Sequence, residues 1–159
     1  MPLIQISVNQ SRIKINPEPI ENAANRILNA LGYTESELSI LITDNAGIAD
    51  LNREYRQIAR ATDVLSFPML EGEFGDISPE MIGDVVISAE TADEMSQQSG
   101  APLDLIMDLL LVHGILHLIG YDHESGRDEA LEMRERTEEL LSMLGHSGNE
   151  FEWFFDTED

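Results

Sequence analysis

Three of the chain's four histidines fall within eleven residues, HGILHLIGYDH, as His113, His117 and His123. Residues four apart lie on one face of an α-helix, so His113 and His117 can point at a common ion. Gly120 permits the left-handed or tight turn that ends a helix. Tyr121 and Asp122 then carry the chain back so that His123 supplies a third nitrogen. Three imidazoles with water in an open fourth position make the ligand set of a catalytic zinc site. A lone histidine on an apolar helix is more often a satisfied core residue. Three of them, on an otherwise almost wholly apolar helix, are hard to explain by packing, because each buried ring nitrogen needs a partner.

The same spacing occurs in the metzincin protease motif H-E-x-x-H-x-x-G-x-x-H. Those enzymes place a glutamate directly after the first histidine as general base, and here that position is Gly114. Losing a general base costs roughly 10²–10⁴-fold in rate. The pattern therefore points to a metzincin-like metal-binding helix with different chemistry. No other side chain presents itself as the base. The tight basic group is Arg53, Arg56 and Arg60, in LNREYRQIARATDVLSFP. On charge alone it reads as a solvated helix face.

The elements that must position these residues are legible from period and punctuation. LIQISV (3–8) alternates as a half-buried strand does, and ELSILIT (37–43), DVLSFPML (63–70) and GDVVISAE (83–90) read as three more, Pro68 marking an edge. Pro17 and Pro19 open a helix that stops at Gly32, and Asp44 or Asn45 caps a second through Tyr55. TADEMSQQSG is a third helix and LDLIMDLLLVHGILHLIG, after Pro102, an apolar fourth. The fifth spans 127–144, with Leu131, Met133, Leu140, Leu141 and Leu144 as its apolar positions. The expected fold is a single α+β domain over residues 1–145, a small four-stranded mixed sheet packed with about five helices. Residues 146–159, GHSGNEFEWFFDTED with the residue before them, read as an acidic, aromatic tail, disordered or a docking peptide.

At 159 residues the length fits one domain, and 42% apolar residues can build a sizeable core. There is no cysteine, which removes disulfides, thiolate catalysis and cysteine-based zinc sites. The N-terminus lacks a secretory pattern and no stretch approaches the length of a membrane span, so a cytoplasmic soluble protein is expected. Nine basic against 31 acidic side chains give a net charge of −22, with no Lys or Arg between residues 71 and 120. Such a balance argues against nucleic acid, whose phosphates are held by Lys and Arg. A local patch, though, sets the field at a site.

At the histidine motif the sequence closely resembles the bacterial YbeY family of endoribonucleases and rRNA maturation factors. The family signature H-G-x-L-H-L-x-G-Y-D-H stands here as HGILHLIGYDH, and two further blocks stand as NREYR with TDVLSFP and as GDVVIS, in family order. The resemblance covers about residues 3–145. It implies a zinc-dependent, single-strand-specific endoribonuclease hydrolysing RNA phosphodiesters, acting in 16S rRNA 3′-end maturation and ribosome quality control. It implies one zinc ion on His113, His117 and His123, with His113 and Arg56 as catalytic residues. Arg53 and Arg60, which the family pattern does not fix, join Arg56 as RNA contacts. The implied partners are a 16S rRNA precursor and the 30S ribosome or its proteins, with no membrane. In this scheme Arg56 stabilises charge building on the phosphorus, Ser66 and Thr62 orient substrate or merely bond at a strand end, and Asp122 accepts from a ligand histidine or forms the turn. The alternatives are a metal-dependent hydrolase of another substrate, or a non-catalytic assembly factor with a structural metal.

Overall fold

A computed structural model describes residues 2–57, 62–68, 81–121 and 126–156. The order is β1 (Leu3–Val8), α1 (Pro17–Ala30), β2 (Glu37–Thr43), α2 (Asn45–Arg56), β3 (Val64–Pro68), β4 (Met81–Ser88), α3 (Ala89–Ser99), α4 (Leu103–Leu118), α5 (Arg127–Met143) and α6 (Gly148–Asp156). The strands form one mixed sheet in the order β1-β2-β4-β3. β1, β2 and β4 run parallel, and β3 pairs antiparallel to β4 at the edge that Pro68 marks. This is the α+β architecture read from the sequence.

Parallel strands are buried on both faces, so they read as near-continuous apolar runs. One face of the sheet, with Ile40, Ile42, Val85 and Ile87, carries the main core against α1 and α4. The other, with Leu65 and Val86, is covered by Ile48 of α2. Asp44 caps α2, its Oδ1 accepting from the Gly47 amide at 2.8 Å. β4 ends two residues earlier than its apolar run suggests. There Ser88 caps α3 by accepting from the Thr91 amide at 3.3 Å, which turns the chain into helix at Ala89.

Helix α4 is apolar all round, as a helix buried on every side must be; Ile106, Leu109, Leu110, Val112 and Ile115 are fully enclosed. On α5, Met133, Leu140 and Leu141 are buried as their spacing suggests. Leu131, read as part of that face, is 49% exposed. Thr137 fills the face instead, its hydroxyl donating to the Met133 carbonyl at 2.7 Å.

The C-terminal segment departs from expectation. Residues 148–156, read as a disordered or docking tail, form helix α6, with Phe151 and Phe154 buried in the main core. Three-residue spacing puts both rings on one helical face, and burying two phenylalanines outweighs the acidity around them. Among the described residues, no helix is long and apolar enough to cross a membrane.

Candidate metal centre

His113 and His117 lie on the last two turns of α4, where the negative end of the helix dipole favours a cation. Their Nε2 atoms approach to 3.0 Å, with ring centroids 4.6 Å apart. Two imidazole lone pairs cannot face each other at that distance without a proton or a cation between them. Two nitrogens each about 2.0–2.1 Å from one tetrahedral zinc stand roughly 3.3–3.4 Å apart, a few tenths of an ångström wider than this pair, so the two rings are donors of the right kind and would part slightly to hold such an ion. Only 8% of His113 is exposed, whereas His117 is half-buried, so the pair lies at the edge of the interior. Among the described residues no Asp, Glu or further His completes a three-donor group. The third expected ligand, His123, lies outside the described residues, as does Asp122.

The turn after the pair forms as its glycine suggests. Gly120 has φ 105°, in the left-handed region, and its amide donates to the His117 carbonyl at 3.2 Å. The Tyr121 amide reaches back to the Leu116 carbonyl at 3.0 Å, closing the helix end. From α5, Arg136 Nε donates to the Tyr121 hydroxyl at 3.4 Å. That contact tethers Tyr121 to α5, and no pattern in the sequence pointed to it.

Gly114 explains itself structurally. A Cβ there would stand 2.7 Å from Val85 Cγ1 and 3.2 Å from Val64 Cγ2, closer than side chains pack. The position that carries glutamate in metzincins is here the point where α4 rests on the sheet. Beside it the buried Ser66 hydroxyl donates to the Gly114 carbonyl at 2.8 Å. Ser66 therefore holds helix to strand. Thr62 donates to Asp63 Oδ1 at 3.3 Å, and the same oxygen accepts the Val64 amide at 2.8 Å. Burial pushes the Asp63 carboxyl above its ordinary value, with these hydrogen bonds acting the other way.

Of the three arginines, Arg53 sits on the exposed face of α2 and pairs with Asp50 at 3.0 Å. A surface pair of this kind holds little free energy, so the guanidinium can exchange partners. The backbone of Arg56 ends α2, and its side chain and all of Arg60 lie outside what is described. One contact was missed altogether: the Phe154 ring of α6 stands against His113, centroids 5.6 Å apart at 82°. The helical spacing of Phe151 and Phe154 was its signal.

A sequence model of the family described as Endoribonuclease YbeY matches residues 5–145. The chain is 45% identical over 146 residues to the Endoribonuclease YbeY of Geobacter metallireducens, covering 91% of this chain and 97% of the relative. It is 44% identical over 140 residues to that of Aquifex aeolicus, covering 88% and 91%. A solved solution structure of a Thermotoga maritima protein superimposes with a TM-score of 0.64 at 22% identity, over 99% of this chain and 96% of that one, which shows the same fold. With the model and the relatives spanning most of its length, the chain belongs to the Endoribonuclease YbeY family.

Proposed function

We propose that this endoribonuclease is zinc-dependent and cleaves single-stranded RNA, acting on the 3′ end of a 16S rRNA precursor in the cytoplasm, on the 30S ribosome or with its proteins. Ribosome quality control is part of the same role. The observation that carries the zinc reading is the 3.0 Å convergence of two Nε2 atoms near the C-terminal end of α4. His113, His117 and His123 would hold the ion. Zinc, when bound, supplies an acidified water and Lewis acidity toward a phosphoryl oxygen.

The chain's own groups do the rest. Gly114 lets α4 seat on the sheet, so the two histidine rings are fixed relative to β3 and β4. Arg56, the last residue of α2, would offer a planar fork of donors to the charge that builds on the phosphate. Arg53 and Arg60 draw the RNA backbone toward the site. With a net charge of −22, affinity for free RNA is weak and falls with added salt, and the ribosome supplies the remaining binding.

The test is a substrate panel given to chelator-treated protein before and after zinc is restored: a single-stranded rRNA 3′-end oligonucleotide, its duplex, and a peptide. Zinc-dependent cleavage of the single strand alone supports the proposal. Cleavage of the peptide, or of no substrate by zinc-loaded protein, would favour the other-substrate hydrolase or the assembly factor.

A further inference from the structure

Helix α6 lies beyond residues 5–145, the stretch matched to the family, yet it reaches the histidine pair. Phe154 is 5% exposed and meets the His113 ring edge to face. Phe151, one turn earlier, is 1% exposed, and Trp153 stands at 90° to Phe154 with centroids 6.1 Å apart. The approach to this helix is tied down as well. His146 and Asp108 meet at 2.8 Å, and Asp108 lies on α4, five residues before His113. Glu150 Oε1 accepts from both the amide and the hydroxyl of Ser147 at 2.8 Å, fixing the first turn of α6.

These contacts bear on a specific weakness of histidine as a ligand. Rotation about the bond to its ring is broad and roughly two-fold, so something must hold the imidazole plane if Nε2 is to face an ion. Groups around a ligand histidine commonly do this and tune metal affinity. At His113 an aromatic ring packed edge to face blocks rotation of the imidazole on the side it covers and keeps water from it. We propose that Phe154 is a positioning residue for His113, holding its imidazole so that Nε2 converges with that of His117, and that α6 is docked on α4 to put it there. The inference rests on the metal role of the histidine pair.

Cobalt(II) titration of the metal-free, full-length protein tests it, because the visible ligand-field bands report geometry without reference to activity. Wild type is compared with Phe154→Leu, Phe154→Met, Phe154→Tyr and His117→Ala, with circular dichroism and thermal melts on each. Phe154→Met is included because a flexible thioether fills irregular space and preserves the fold where Leu does not. The expected result is about 10-fold weaker binding with shifted bands in the folded Leu or Met variant, and recovery of both affinity and spectrum in Phe154→Tyr. A folded Leu or Met variant with wild-type affinity and bands overturns the inference while leaving the metal site standing. Phe154→Tyr as impaired as Leu or Met overturns it too, since restoring the aromatic ring would then not restore the ligand geometry. Wild type that takes up no cobalt, or His117→Ala that binds equally well, overturns the metal reading and the inference with it.

Discussion

A Cβ placed on Gly114 would stand 2.7 Å from Cγ1 of Val85, so α4 meets β4 with bare backbone at the residue next to His113. The contact sets how far the histidine pair stands from the sheet. Gly114→Ala should cost about 1–3 kcal/mol through overpacking, read as a lower urea midpoint with unchanged slope. Gly114→Glu, which would restore the metzincin pattern, should unfold the chain and create no peptidase.

Ser66→Ala removes the buried hydroxyl that donates to the Gly114 carbonyl at 2.8 Å. A loss of about 0.5–1.5 kcal/mol is expected, measured by the same denaturation. Cleavage by the folded variant should stay close to wild type, because the hydroxyl is committed to α4. A large drop in rate with stability intact would return Ser66 to the substrate.

Phe151 is 1% exposed in the main core. Phe151→Ala should therefore destabilise the domain by about 3–5 kcal/mol, the usual cost of deleting a buried phenylalanine ring. A variant melting within a degree of wild type would mean that α6 does not belong to the core.

Asp63 gives a pH dependence of definite sign. Burial raises its carboxyl above the ordinary 3.8 in the folded protein, so between 3.8 and that raised value the folded state holds more proton than the unfolded one. Stability from this group therefore falls as pH rises through that window and is flat above it. Asp63→Asn keeps an oxygen for Val64 and Thr62 but has no proton to lose. Its melting temperature relative to wild type should climb as pH goes from about 3 to 7. A difference that shrinks over that range would show that the hydrogen bonds, which pull the other way, prevail over burial.

The parts of the fold that follow from local rules were legible in the sequence. The period-two and apolar runs gave four strands, Pro68 gave the edge, and Gly120 gave the end of α4 at a residue with φ 105°. A four-residue spacing leaves one helical outcome, and His113 and His117 do share a face of α4. Other features depended on what lies across space. Ser66 offered two roles until Gly114 was found opposite it. Leu131 was assigned inward because periodicity reports a face and says nothing of how wide a partner covers it. In the last helix, acidic residues masked two phenylalanines at helical spacing, and composition was allowed to outweigh pattern.

The most direct measurement of the central claim is zinc content and single-stranded rRNA cleavage on the same samples of wild type, His117→Ala and Arg56→Glu. Zinc is expected in wild type and Arg56→Glu and none in His117→Ala, with cleavage at full rate by wild type alone and Arg56→Glu down by about 10²–10³-fold. Cleavage that survives in zinc-free His117→Ala would contradict it.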